Sequence, residues 1–328
     1  MPVNPPEGSS TGIRPVALFV LGMPRSGTSA LTRVLSLCGG ALPTGLHGAV
    51  SDNPRGRWEP RASLLLNDAI LRRHRSGAFD PTLRLQEEGV LDANKNPAYM
   101  DKIKAYLTTL PAAPLVVIKD LQINLLSGMW FEAARMVGFD TAALIAVRHP
   151  EEAIASLVAG GSGGGASPEL ASALWLKQTL LTERHTREVP RLFVEYANLL
   201  DDWRREITRI SSALRIDLAT RDEGAIEEFL TPDLRHHQQH SGPVTEPFGT
   251  DWFFTVYGAL RAAAQDEAMD QPALDRVFEA YRASEHVFRT AFEEFRSIHN
   301  RNRLIPPLIA RLGLEAVAMA HRRRGTWA

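Results

Sequence analysis

The residues best suited to chemistry come first in the chain, at 22–29, read GMPRSGTS. The spacing Gly22-x-x-x-x-Gly27, with a hydroxyl at Ser29, is that of a phosphate-binding glycine loop, G-x-x-x-x-G-K-[ST]. The lysine position holds Thr28 instead, and the cation sits inside the loop at Arg25. A glycine turn between a strand and a helix aims several backbone N–H groups at one point, and the helix N-terminus adds partial positive charge there. In triphosphate loops the lysine reaches the β- and γ-phosphates. Its loss argues against a γ-phosphoryl donor. The retained loop, with Arg25, Ser26, Thr28 and Ser29, suits a shorter anion, such as a 5′-phosphate carrying one sulfate. A structural turn also fits the two glycines taken alone; the apolar run before them and the helix after them favour phosphate binding.

A second constellation is Arg148 and Ser156, eight apart in RHPEEAIAS. Arg148 ends an apolar run that reads as a buried strand, and Ser156 falls in the second turn of the next helix. In an open parallel sheet, ligands bind beyond the carboxyl ends of the strands, so this pair faces the same crevice as the glycine loop. A guanidinium grips phosphate bidentately and a serine adds a hydroxyl donor. Two such devices imply a nucleotide with two separate phosphates. The plain reading is that Arg148 pairs with Glu151 or Glu152 and Ser156 is a small helix residue.

The elements that must position these groups are legible as periodicity. Val16–Leu21 is a continuous apolar run, Gly22–Gly27 a loop and Thr28–Leu37 a helix, stopped by the glycine pair Gly39-Gly40. Strand, glycine loop, helix opens an α/β domain with a parallel sheet. Further buried-strand candidates are 115–118, 142–147 and 191–196. Helices are expected at about 60–75, 98–110, 126–137, 168–187 and 200–214, and one starts at Pro150, with acids in its first turn. The run GGSGGG at 160–165 reads as a surface loop or a substrate-gating loop. The expected architecture is a P-loop-like three-layer α/β fold, a central parallel sheet flanked by helices. Its divisions are a lead-in over 1–14, a domain over 15–244 and a helical C-terminal extension over 245–328. That extension packs on the core or serves self-association as a homodimer.

Composition narrows the function classes. The 328 residues are 44% hydrophobic and 23% charged with a net charge of −1, so no global field draws nucleic acid or anionic lipid. Only five lysines occur, against a majority of arginines, which reads as genomic base composition. Cys38 is the single cysteine, which fits a reducing compartment. The polar N-terminus lacks the apolar core of a secretory signal. No apolar run approaches the roughly 20 residues a spanning helix needs. A cytoplasmic location is the expectation. RHHQQH at 235–240 is the nearest approach to a metal-spaced cluster and reads more simply as a polar loop.

Together, GMPRSGTS and RHPEEAIASL resemble the motifs of sulfotransferases that use 3′-phosphoadenosine 5′-phosphosulfate, in the bacterial and carbohydrate-type branch. IKDLQINLL and VEYANLLDDWRREITRISSAL resemble later core segments of that family, so the likeness spans about 16–237. The sequence departs from the family at Arg25, where lysine is usual, and at Lys119–Gln122, KDLQ in place of KDPR. The resemblance implies transfer of a sulfuryl group to an acceptor hydroxyl, on a carbohydrate or a glycosylated small molecule, with no metal. It implies a nucleotide site of Pro24, Arg25, Ser26, Gly27, Thr28, Ser29, Arg148, Ser156, Tyr196 and Arg235. Arg25 and Lys119 are the candidates to stabilise charge on the leaving oxygen. The acceptor's proton needs a base within reach. Glu59, in GRWEP, matches an acid that related enzymes carry after the first helix; Arg55, Arg57 and Arg61 would hold it ionised. His47 and Asp52 are the alternatives. Trp58 and Trp130 could stack on a sugar or fill the core. A P-loop kinase and a non-catalytic nucleotide-binding scaffold are the competing readings.

Overall fold

The structure, a computed structural model, describes residues 14–49, 53, 55–87, 89–159, 165–220, 222–230, 251–284 and 307–323. Asp52, most of the glycine run and the segment holding Arg235 and the histidines lie outside the described residues. Four strands, β1 Val16–Leu21, β2 Leu115–Lys119, β3 Asp140–Val147 and β4 Arg191–Glu195, form one parallel sheet in the order β2-β1-β3-β4. The register aligns their carboxyl ends. Val20 pairs with Lys119, Leu21 with Ile145, and Val147 with Glu195. Every strand therefore delivers its last residue to one edge, the ligand edge of such a sheet.

Successive side chains of a strand point to opposite faces, and the sheet uses both. Ala17, Phe19 and Leu21 enter one buried cluster, Leu18 and Val20 the other. On the Phe19 face lie α2 (Arg61–Arg73), α4 (Pro97–Leu107), α5 (Ile123–Met136), α6 (Pro150–Val158) and α7 (Pro168–His185). The short α3 (Arg84–Glu87) adds Leu85 to them. Phe19 meets Phe131 and Trp130 edge-on, with centroids 5.1 and 6.5 Å apart. On the Leu18 face lie α1 (Thr28–Leu37), α8 (Tyr196–Asp201), α9 (Trp203–Leu214) and α10 (Glu223–Phe229). The result is the three-layer α/β fold with a central parallel sheet.

Local chemistry sets the boundaries. Helix α1 ends in a Schellman turn: Gly40 N–H reaches the Leu35 carbonyl and Gly39 N–H that of Ser36, with Gly39 at φ 101°. The helix expected over 200–214 is two helices. Asp202 leaves helical backbone and caps α9 by accepting from Arg205 N–H at 3.0 Å, because aspartate competes for backbone donors and favours a helix start. Strand β4 ends at Glu195, one residue earlier than its apolar pattern suggested, and Tyr196 opens α8.

Of the C-terminal third, α11 (Trp252–Ala264) and α12 (Gln271–Ala283) belong to the Phe19-side core through Phe253, Val256, Leu260, Leu274 and Tyr281. Asp275 of α12 pairs with Arg184 of α7 and with Arg187 in the turn after it, and Tyr281 donates to the Pro81 carbonyl at 2.6 Å. Helix α13 (Pro307–Arg323) touches the domain through Glu315, 3.4 Å from Arg61, and buries Ala318. The rest of the expected amphipathic pair, 285–306, lies outside the described residues. No helix among the described residues is long and apolar enough to cross a membrane.

Candidate functional site

The glycine loop stands at the carboxyl end of β1, between the ends of β2 and β3. Its two glycines are demanded by neighbours. Gly22 has φ 134°, and a Cβ there would lie 2.6 Å from the Ala146 carbonyl oxygen of β3. Gly27 has φ 89°, and a Cβ there would lie 2.2 Å from Cδ2 of Tyr196. Only glycine takes these conformations without strain and permits this approach. Arg25 also adopts a left-handed conformation, φ 73°, a strain that persists where surrounding contacts fix it.

Those contacts are visible. Asn124, at the start of α5, clasps Gly22 from both sides: Gly22 N–H donates to its Oδ1 at 3.2 Å, and its Nδ2 donates to the Gly22 carbonyl at 2.7 Å. Gln178 accepts from the same Nδ2 at 3.2 Å. The loop is thereby tied to α5 and, through Asn124, to α7. Gly27 is the N-cap of α1, and no side chain caps that helix. The first N–H groups of a helix have no intrahelical partner, so they face the ligand edge with the dipole behind them.

The second constellation meets the first. Arg25 Nε donates to Ser156 Oγ at 2.9 Å, and an Arg148 guanidinium N–H donates to the Arg25 carbonyl at 2.9 Å. Arg148 also lies 5.0 Å from the centroid of the Tyr196 ring, within cation–π range. Tyr196, Gly27, Arg25, Ser156 and Arg148 thus form one connected cluster across the ends of β1, β3 and β4. Burial pushes the Tyr196 phenol above its ordinary pKa, opposed by the charges of Arg148, Arg55 and Arg25. The plain reading of Arg148 is also present: its Nε pairs with Glu152 Oε2 at 2.9 Å. The ion pair aims the fork without consuming all five donors.

On the other side of the loop, β2 ends in Lys119, and the structure gives it a partner that its neighbours in sequence do not suggest. Lys119 Nζ donates to Glu59 Oε1 at 2.6 Å and to the Arg57 carbonyl at 3.1 Å. Both charged side chains are almost wholly buried, 2% and 4% exposed. Glu59 is therefore held by Lys119 rather than by Arg55, Arg57 or Arg61. Arg55 donates to the Phe229 carbonyl, and Arg61 donates to the Leu46 carbonyl at 2.8 Å. Lys119 is correspondingly turned onto Glu59. The Arg57 carbonyl also accepts from Ser29 Oγ at 3.4 Å, and Asn53 donates to that hydroxyl at 3.2 Å. The acid–lysine pair is thereby one residue removed from α1. Trp58, between Arg57 and Glu59, sits at φ 59°, the kink at the centre of this arrangement.

His47 lies alongside. Its backbone N–H donates to the Glu59 carbonyl at 2.6 Å, and its buried side-chain Nδ1 has no partner among the described residues. Burial first, then the charge of Arg57, holds the imidazole below its ordinary pKa and hence neutral. The two candidate bases are thus joined through their backbones.

Ser26 and Thr28 are buried, while Pro24 and Ser29 are half-buried. Trp58 and Trp130 are 3% and 0% exposed, so both are core residues and neither offers a face to a sugar. Sequence reasoning missed Asn124, the Arg57 carbonyl as the shared acceptor and the network around Asp120. Asn124 carries no spacing signal, since its partner Gly22 is 102 residues away. A cavity of about 530 Å³ between α4 and α5 around Gly128 is lined by none of these residues. Among the described residues no group of three His, Cys, Asp or Glu is placed to hold a metal ion.

No family model and no curated protein matches the chain. Among solved structures it is similar to the sulfotransferase domain of an olefin synthase from Synechococcus PCC 7002, at 19% identity and TM-score 0.38, over 84% of this chain and 97% of that one. It is similar also to a sulfotransferase domain from the curacin biosynthetic pathway, at 15% identity and TM-score 0.36, over 80% and 90%. A sulfotransferase from Mycobacterium tuberculosis H37Rv follows at 14% identity and TM-score 0.35, over 82% and 76%. Likenesses at these TM-scores carry no argument for function, so any functional reading stands on the loop and its neighbours.

Proposed function

We propose that the protein is a sulfotransferase, moving a sulfuryl group from 3′-phosphoadenosine 5′-phosphosulfate to an acceptor hydroxyl. The observation that carries this reading is the single cluster of Arg25, Ser156 and Arg148 over Tyr196, beside a glycine-capped helix whose loop has no lysine. It offers two anion grips at one sheet edge. The residues present fit the nucleotide: the two glycines let the loop lie close against Ala146 and Tyr196, and Arg25, Arg148 and Ser156 bring donors to its edge, with the Glu152 carboxylate already paired to Arg148. When bound, this nucleotide supplies the sulfuryl group and a phosphate leaving group.

The chain's own residues then divide the work. The loop N–H groups and the α1 terminus hold the 5′ end. Arg148 and Ser156 hold the second phosphate, with Tyr196 as the apolar floor. Arg25 places its charge where negative charge grows on the leaving oxygen as the S–O bond breaks. Glu59 takes the acceptor's hydroxyl proton as the new S–O bond forms. Lys119 fixes the Glu59 carboxylate by a charge-assisted bond. Trp58 and Trp130, being in the core, do not stack on the acceptor, which is defined only by its hydroxyl.

Titrations with adenosine 3′,5′-bisphosphate, adenosine 5′-phosphate and ATP test the reading. The bisphosphate binds most tightly. Arg148→Ala weakens it by about 2–4 kcal/mol, the scale for truncating one side of a hydrogen-bonded charge pair, and scarcely changes the monophosphate. Preference for ATP with Mg²⁺ would make the protein a kinase, and no binding of any of the three would make it a scaffold.

A further inference from the structure

Next to Lys119 in the chain is Asp120, wholly buried at the carboxyl end of β2. Its carboxylate accepts from Ser63 Oγ at 2.8 Å and Asn67 Nδ2 at 2.9 Å through one oxygen, and from Gln122 N–H at 2.9 Å through the other. All three are neutral donors. Lys119, its chain neighbour, turns instead to Glu59. An ionised carboxylate without a contacting cation is expensive to bury, and burial followed by the like charge of Glu59 pushes Asp120 up to about 6. A capping role alone does not need this charge.

What the bonds connect gives the reason. Ser63 and Asn67 are the first and second turns of α2, and Glu59 stands just before that helix, whose N-cap is Pro60. Asn67 passes the order on, accepting from Trp130 Nε1 at 2.8 Å. The same Ser63 hydroxyl lies 3.0 Å from the Pro60 carbonyl, so its one proton is shared between that oxygen and Asp120. Asp120 thus pins the start of α2 to the end of β2, while Lys119 beside it receives Glu59.

We propose that Asp120 is the positioning residue of the candidate site. By accepting from Ser63 and Asn67 it fixes the first turns of α2 against β2, and so sets Glu59 onto Lys119. The catalytic part of this statement rests on the reading of Glu59 as the base.

Asp120→Asn keeps the shape but turns one acceptor into a donor facing donors. In the full-length protein, hydrogen exchange of peptides covering 45–49 and 61–67 should speed by about tenfold or more, since the His47 amide is tied to the Glu59 carbonyl. Peptides covering 28–37 and 115–119 should stay as in the wild type. The kcat for sulfuryl transfer should fall about 10–100-fold, the scale of a misplaced catalytic group, with affinity for adenosine 3′,5′-bisphosphate changed less than about twofold. Should that variant fail to fold, Ser63→Ala removes one of the same bonds and should show the same pattern more weakly. Unchanged exchange at 45–49 and 61–67 overturns the proposal. So does loosening that includes 115–119, or a joint fall of kcat and nucleotide affinity. A wild-type protein that neither binds the bisphosphate nor transfers sulfate refutes the proposed function, and the exchange experiment still decides the positioning role.

Discussion

Gly27→Ala is the sharpest test of how the loop and the Arg148 side of the site are joined. Two costs add at this position. The backbone is at φ 89°, and an L-residue held in the left-handed region costs about 1–2 kcal/mol. The new methyl would also lie 2.2, 2.8 and 2.9 Å from three atoms of the Tyr196 ring. That ring is buried and carries Arg148 over its face, so making room is an overpacking event of about 1–3 kcal/mol. The sum, about 2–5 kcal/mol, is within the stability of an ordinary domain, so the variant folds and can be measured. Urea unfolding gives the stability change, and titration with adenosine 3′,5′-bisphosphate gives the loss of affinity, expected to exceed tenfold because the ring shifts under Arg148. The same substitution in a Tyr196→Ala background separates the costs. There only the backbone part remains, leaving a coupling of about 1–3 kcal/mol between the two sites. An equal cost in both backgrounds would show that the glycine is required by its φ alone and that Tyr196 is not the floor of the loop.

Further outcomes follow from the same contacts. Glu59→Gln should lower kcat by about 10²–10⁴-fold, the span for losing a general base, with nucleotide affinity nearly unchanged in steady-state and binding assays; retained kcat together with a dead His47→Ala enzyme would move the base to His47. Asn124→Ala leaves the Gly22 N–H and carbonyl without their partners, at about 1–3 kcal/mol for each buried group; thermal unfolding should show the loss and bisphosphate titration a loosened loop. The stability of the protein should also carry the signature of Asp120, whose folded carboxyl lies near 6 against an ordinary 3.8. The folded state binds that proton more tightly than the unfolded chain, so the contribution is present below about pH 4 and is lost as pH rises through 6. Two units correspond to about 3 kcal/mol. The difference in urea stability between wild type and Asp120→Asn should fall by about that amount from pH 4 to 7. The lowered His185 pKa gives the opposite slope in both proteins and cancels in the difference. A flat difference would mean that Asp120 does not hold its proton in the fold.

What the sequence determined by itself is the set of features written in neighbouring residues. The apolar runs fix the four strands, because a strand covered on both faces has no room for polar side chains. The glycine spacing fixes the loop after β1, and Gly39-Gly40 the end of α1, because each turn needs its own residue at a definite offset. Asp202 shows the limit of that reading: apolar periodicity runs through 200–214, but one capping side chain divides the segment into two helices.

What only the tertiary structure decided is which distant residues meet. The order β2-β1-β3-β4 puts the ends of β2 and β3 on either side of the glycine loop, and no local pattern encodes that order. It brings Lys119 to Glu59 across 60 residues, Asn124 to Gly22 across 102 and Ser156 to Arg25 across 131. Arg55, Arg57 and Arg61 stand closer to Glu59 in sequence, yet none supplies its partner. Lys119 is anchored at the end of β2 with its amine on Glu59, whereas Arg55 turns to the Phe229 carbonyl and Arg61 to that of Leu46. Tertiary packing likewise places Tyr196 beneath Gly27. The chain spells out the loop as a cradle, and the packing of β4 and α8 beside it supplies the floor that makes glycine the one residue that fits.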